Sequence, residues 1–281
     1  MRNDTCISGL LAPVVARLGR IAGIEAIALG GSQARDTADA SSDIDLGLYY
    51  EPSKPFSIRA LSRAAQELDD RRLPNLVTGF GEWGPGVNGG GWLIVGGRHV
   101  DLLYRDLDAL RTAVADCVAG RIKSLHQLGH PLGFHNQILV GELNCCRPLH
   151  DPSRKLARLK GRVARYPAAL RRTVLRRHMF DARFELDIAE KPASRGDVPY
   201  VTGCLFRATG FMLLVLYALN RRYFINEKGA FAESRGFRVK PRGFHADVTR
   251  ALGRMGTRPA QLAKRIAMLR AVHGRLARLI A

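Results

Sequence analysis

Negative charge is what this chain is short of: 25 aspartates and glutamates face 44 lysines and arginines, a formal charge of +19. A field of that sign works against polycationic partners and favours nucleotides, nucleic acid or acidic membranes. Arginine is scattered along the chain rather than held in one block, so a solvated, arginine-rich surface accounts for the same charge. Cysteines are few: Cys6, Cys117, Cys145, Cys146 and Cys204 are odd in number and show no C-x-x-C spacing. That argues against a disulfide framework and predicts reduced thiols in a cytoplasmic protein. Long apolar runs are missing too. The longest, "LFRATGFMLLVLYAL", is 15 residues and contains Arg207, whereas a spanning helix needs roughly 20. The opening "MRNDTCISGLLAPVVARLG" has a broken apolar stretch and no signal-peptide core. No membrane association is expected.

What is present suffices for a core, since 46% of the residues are hydrophobic. Leu10, Leu11, Val14, Val15, Leu18 and Ile21 have helical spacing. "IEAIAL" reads as a strand running into Gly30-Gly31, and Ser32 as the N-cap of a helix over "SQARDTAD". "DIDLGLYY" has period 2 and reads as a second strand; "SIRALSRAAQELDDR" reads as an amphipathic helix. A glycine-dense loop, "GEWGPGVNGGGW", reads as a flap, and beyond it strands Trp92–Val95 and His99–Tyr104 form a hairpin around Gly-Gly. From about Asp151 the chain turns helical and arginine-rich. The expected fold class is α+β: residues 1–150 form a catalytic domain with a mixed sheet flanked by helices, and 151–281 a helical bundle.

Two carboxylates interrupt the second strand. Asp43 and Asp45 are two apart and so share a face, and Asp101 lies in the apolar strand "HVDLLY". If those strands are neighbours, three carboxylates converge. Oxygen-only ligands of that charge density suit Mg²⁺, which is held by few protein carboxylates together with substrate phosphates. Two such ions suit a phosphoryl displacement. Gly30, Gly31 and Ser32 offer a turn where a phosphate approaches the backbone, with Arg35 one turn on.

Leu29-Gly30-Gly31-Ser32, ten intervening residues, Asp43-Ile44-Asp45-Leu46 and the later Asp101 resemble the nucleotidyltransferase superfamily of DNA polymerase β and the kanamycin, streptomycin and lincosamide nucleotidyltransferases. The resemblance covers residues 24–104. It implies a mixed sheet with helices on one face and two Mg²⁺ ions on Asp43, Asp45 and Asp101. It also implies an NTP, ATP first, on Gly30, Gly31, Ser32 and Arg35, and transfer of a nucleoside monophosphate to a hydroxyl acceptor with release of pyrophosphate. Many relatives carry Gly after the Arg of the loop; here Asp36 stands there, and its carboxylate is expected to point away from the phosphates. "YVTGCLFRATGFMLLVLYALNRRYFINEKGA" is similar to the helical domain of bacterial minimal nucleotidyltransferases, which in antibiotic-modifying relatives helps wall the cleft. That likeness implies a triphosphate contact for Lys228, otherwise a solvated loop lysine. It also implies a general-base role for Glu142, otherwise a helix-surface or capping residue.

The acceptor stays open between a small hydroxylated molecule and a macromolecule, an RNA 3′ end or a protein side chain; the basic charge favours RNA. A catalytically silent nucleotide-binding module is the reading from another class, and the intact aspartate set argues against it. His126, His130 and His135 have loosely metal-like spacing, but Pro131 and Gly133 break any single helical face.

Overall fold

Apolar period and turn chemistry set the order of elements in the computed structural model, which describes residues 2–35 and 42–280. In chain order these are α1 (Arg2–Leu18), β1 (Ala26–Leu29), a single turn α2 (Gly31–Ala34), β2 (Ile44–Tyr50), α3 (Ile58–Leu68), β3 (Gly90–Val95), β4 (Arg98–Asp106) and α4 (Leu107–Val118). A small ladder of β5 (Ser124–Leu125) and β6 (Phe134–His135) follows, then α5 (Asn136–Cys145), β7 (Arg147–His150) and α6 (Lys155–Val163). The remainder is helical: α7 (Ala168–Ile188), α8 (Glu190–Ser194), α9 (Val198–Leu219), α10 (Ala230–Glu233), α11 (Phe244–Gly253) and α12 (Pro259–Ala277). The fold is α+β, a mixed sheet followed by a helical region.

The chain divides into two compact units. One runs to Asp116 and takes up Lys123–Gly129 and Gly133–Ala164; the other holds Cys117–Ile122, His130–Leu132 and the chain from Arg165 on. Helix α6, which lies beyond the composition change near Asp151, belongs to the first unit. Ion pairs and hydrogen bonds tie it there: Lys155 Nζ reaches Glu25 (2.8 Å) and Glu51 (2.7 Å), and Lys160 Nζ donates to the carbonyls of Leu143, Asn144 and Cys146.

The five-stranded sheet has the order β3-β4-β2-β1-β7. All neighbours are antiparallel except β2 and β4, which run parallel. A parallel pair needs a crossover, and α3 provides it. One face of the sheet, with Ile44, Leu46, Leu48, Val100 and Leu102, packs on Leu11, Val14 and Leu18 of α1 and on Leu61, Ala64 and Ala65 of α3. Each fully buried aliphatic side chain there contributes about 1.5–3 kcal/mol. The opposite face carries Asp45 and Asp101, so the core helices position the carboxylates without touching them.

The end of α3 is latched to the β3–β4 hairpin by two aspartates. Asp69, fully buried, accepts from Ile94 N (2.7 Å), Arg71 N and the Arg71 guanidinium (Nη2, 2.9 Å). Asp70 accepts from Gly96 N and Gly97 N. These glycines have φ +55° and +71°, the left-handed pair that a tight two-residue hairpin requires. From the sequence both aspartates read as the polar tail of a helix; the tertiary partner 25 residues downstream gives them their task.

Helices α7, α9 and α12 form the core of the second unit, with Leu205, Met212, Val215 and Leu216 of α9 buried. Among the described residues α9 is the one helix long and apolar enough to cross a membrane: 22 residues, with 78% of its apolar window buried in the fold. It exceeds the 15-residue run because Val198–Cys204 extend the helix ahead of it. Cys117, Cys145, Cys146 and Cys204 are free thiols.

The Arg71 hydrogen bond, with the Ile94 and Arg71 N–H groups, holds Asp69 down to about 2. Arg111 first, then Lys155, does the same for Glu51. Folded-state values below the unfolded ones mean stability that is present above about pH 4 and lost as pH falls toward 2. Asp69→Ala leaves Arg71 and a buried N–H without an acceptor and is expected to cost about 2–4 kcal/mol in urea unfolding at pH 7. Asp69→Asn should flatten the acid limb of the stability–pH curve.

Candidate active site

Like charges are seldom placed side by side in a sheet, yet here they are. In the parallel β2–β4 ladder Asp45 stands directly opposite Asp101, with Ile44 on Val100 and Leu46 on Leu102 at either side. Cross-strand partners share a face, so the two carboxylates lie together on the face away from α1 and α3. Burial pushes the Asp101 carboxyl up to about 6, helped by the charges of Asp45 and then Asp43, while His99 opposes. Asp43 itself lies just ahead of β2 and is exposed. Arg98 Nη2 donates to Ser42 O (2.9 Å), which ties the start of β4 to the approach to Asp43.

Among the described residues no group of three or more His, Cys, Asp or Glu side chains stands close enough to hold a metal ion. The pair Asp45–Asp101 is adjacent, and Asp43 acts on Asp101 at longer range. Two carboxylates with a third nearby fit Mg²⁺ as proteins commonly hold it, with part of its shell left to water and phosphate oxygens; they do not form a closed cage.

The Gly-Gly turn is built around the same carboxylate. Gly30 N donates to Asp45 O (2.8 Å). Gly31 has φ +58°, and a methyl group there would stand 1.7 Å from Asp45 Oδ2. The second glycine is therefore dictated twice, by backbone conformation and by the carboxylate against it. The short helix begins at Gly31 with Gly30 as its cap, so Ser32 lies inside the turn and is not the N-cap its residue type suggests. Arg35 closes the turn; its Nε donates back to Gly31 O (3.3 Å). Asp36 lies outside the described residues.

Glu142, on α5, reaches Arg105 of β4: Nε to Oε2 at 3.0 Å and Nη2 to Oε1 at 3.1 Å. The general-base role expected for it is not what this geometry supplies, because both carboxylate oxygens are committed to a buried guanidinium. Arg105 also donates to Val87 O and Tyr104 O, so the pair joins α5, β4 and the glycine-dense loop. That loop is held rather than free as a flap: buried Gln127 accepts from Gly86 N (2.9 Å) and donates to Trp83 O (2.6 Å), and Asn88 bonds the Tyr50 hydroxyl.

Lys228 belongs to the second unit, exposed in the loop ahead of α10, where its N–H donates to Asn226 (2.9 Å). His130 pairs with Glu227 of the same unit (3.0 Å). A groove of about 760 Å³ lies between α1 and β7, lined by Leu11, Val15, Leu29, Arg147 and Leu149. Its lining is mainly apolar, with Arg20, Arg147 and His150 at the wall, and does not include the carboxylates.

Trp92 is the site residue that the sequence did not flag. It sits opposite Asp101 in the β3–β4 ladder. The signal was available, since a tryptophan two residues into a strand beside an acidic strand lies on the acidic face if the hairpin register is known.

Gly31→Ala is expected to cost about 1–3 kcal/mol from left-handed strain and, beyond that, to swing the Asp45 carboxylate away. A crystal structure of the variant together with its urea midpoint checks both effects.

Two family models match parts of the chain. The family model described as a nucleotidyltransferase domain matches residues 12–80, which include the Gly-Gly-Ser turn, Asp43 and Asp45. A second, described as a domain of unknown function (DUF4037), matches residues 137–228. No curated protein matches the chain. A crystal structure of a nucleotidyltransferase-like protein from Exiguobacterium sibiricum is similar over 98% of this chain and 74% of that one, with 11% identity and a TM-score of 0.44; so distant a likeness carries neither residue roles nor a substrate. Residues 12–80, the stretch that carries the Gly-Gly-Ser and Asp-Ile-Asp residues, thus match the model of a nucleotidyltransferase domain.

Proposed function

We propose that the chain transfers a nucleoside monophosphate from an NTP, ATP first among them, to the hydroxyl of a small-molecule acceptor and releases pyrophosphate. The observation that carries this reading is the register that sets Asp45 against Asp101 while Gly31 packs on the Asp45 carboxylate. Gly30, Gly31 and Ser32 offer backbone N–H groups and a hydroxyl to the triphosphate, and Arg35 a positive charge beside it. Lys228 is assigned to the triphosphate by the resemblance of its loop alone. Asp43, Asp45 and Asp101 hold Mg²⁺, two ions in the full reaction. When bound, Mg²⁺ supplies charge neutralisation on the phosphates and favours the ionised acceptor hydroxyl.

In the transfer the acceptor oxygen forms a bond to the α-phosphorus as the bond from that phosphorus to the pyrophosphate oxygen breaks. The hydroxyl proton passes to the Asp101 carboxylate, since Glu142 is occupied by Arg105. The pair of carboxylates on rigid neighbouring strands keeps the reacting groups aligned. Free thiols and the lack of a C-x-x-C pattern suit a cytoplasmic setting.

Asp45→Ala and Asp43→Ala are expected to lower pyrophosphate release by about 10³-fold or more, with urea midpoints close to wild type. Retained turnover in either variant overturns the mechanism. Radiolabelled NTP incubated with cell extract identifies the acceptor: label in the small-molecule fraction fits the proposal. Label in RNA, which the +19 charge favours, or in protein redirects it. Thermal shifts with Mg²⁺ and ATP, GTP, CTP or UTP rank the bases, and binding without transfer to any fraction marks a silent nucleotide-binding module.

A further inference from the structure

Across the sheet, four residues form one row on the exposed face: Gly30, bonded to Asp45; Asp45 opposite Asp101; and Asp101 opposite Trp92. Trp92 is 58% exposed, although its neighbours Gly91 and Leu93 are buried. Its indole is stacked on Trp83, with centroids 4.6 Å apart and planes at 30°. Trp83 is set down on the strand because Gly90 leaves room for it: a methyl at Gly90 would meet Trp83 Cζ3 at 2.5 Å. Its backbone is clamped by Gln127, and the Val87 carbonyl further along the loop by Arg105. An exposed, pre-oriented indole pair is a costly feature unless something lies on it.

Building on the nucleotidyl-transfer reading, we propose that Trp92, backed by Trp83, is the acceptor platform: it stacks a hydroxylated ring that carries no negative charge and presents its hydroxyl to Asp101. Position supports this. The triphosphate is assigned to the Gly30 end of the row, and displacement at phosphorus brings the nucleophile in opposite the leaving pyrophosphate, from the Trp92 end. Strands are about 4.8 Å apart, so a ring on Trp92 has a substituent within one ring's width of Asp101. Charge supports the ring's neutrality or positive charge. Asp101, Asp45 and Asp43 line that approach, and Glu82 adjoins Trp83; of the basic residues on the same strand, Arg105 is paired with Glu142 and Arg98 donates to Ser42 O, which leaves His99 beside Asp101. A polyanionic RNA end is disfavoured there despite the overall +19.

Trp83 and Trp92 are the only tryptophans in the chain, so intrinsic fluorescence reads this platform alone. The test titrates the full chain, its nucleotide site filled with α,β-methylene ATP and Mg²⁺, with methyl β-glucopyranoside, methyl β-glucosaminide, adenosine, glucose 6-phosphate and an oligo(A) RNA. A saturable response is expected to the two glycosides or to adenosine, which separates a sugar ring from a base. Glucose 6-phosphate and the RNA should bind at least about tenfold more weakly. Trp92→Ala should weaken the responding ring about tenfold, Trp92→Phe should retain most of it, and calorimetric affinity for α,β-methylene ATP should change less than twofold. A response to RNA alone, no response to any ring, or a Trp92→Ala loss confined to α,β-methylene ATP overturns the proposal; the last result assigns the platform to the nucleobase. If α,β-methylene ATP fails to bind wild type, the nucleotidyl-transfer reading fails separately, and titration of the rings without nucleotide still decides the platform.

Discussion

Everything at the candidate site depends on the parallel pairing of β2 with β4. Parallel strands cannot be joined by a tight turn, so α3 must cross over, and the crossover fixes which residue of β4 faces which residue of β2. The resulting register puts Asp45 on Asp101. A slip of one residue would turn Asp101 onto the face packed by Leu11, Val14 and Leu61. The apolar side of the same strand forbids that slip: Val100, Leu102 and Tyr104 are buried and would all be expelled together. The hydrophobic core thus fixes the charge constellation on the opposite face, where two carboxylates stand side by side.

The turn and the latch extend the same logic. Asp45 occupies the space that a side chain at Gly31 would need, so the Gly-Gly turn and the carboxylate are one packed object rather than two motifs that happen to be near. Asp69 and Asp70 hold the far end of the crossover to the β3–β4 turn, which keeps β3 in register and Trp92 beside Asp101. The Arg105–Glu142 pair anchors α5 to β4 at the lower end of the same face. Charged groups that hold the fold and the carboxylates assigned to the proposed transfer therefore lie within a few residues of each other. Asp69 and Glu142 have both oxygens hydrogen-bonded, and the Asp45–Asp101 pair is a like-charge contact, with Asp101 pushed up by burial and by that charge.

Much of this was legible in the residues themselves. Period 2 in "DIDLGLYY", the amphipathic run before Pro74, the glycine pair at the hairpin and the helical texture after Asp151 each correspond to an element, because local period and turn chemistry decide those elements. The short polar strands β5, β6 and β7 left no such trace, being two to four residues long. α9 is longer than its 15-residue run because Val198–Cys204 add an amphipathic stretch, with Val201 and Cys204 buried and Thr202 and Gly203 exposed.

The sequence alone determined the residue types at the site: glycines where backbone must approach closely, Asp-apolar-Asp on a strand, a third carboxylate in another apolar run. These are local facts of spacing, and they carry the resemblance to the nucleotidyltransferases. Only the tertiary structure decided which carboxylates meet, that Glu142 is spent on Arg105, and that Trp92 stands in line with Asp101. Those facts depend on pairing partners between 9 and 56 residues apart. Register between distant strands is set by collective burial of their other face, which no single stretch of sequence displays.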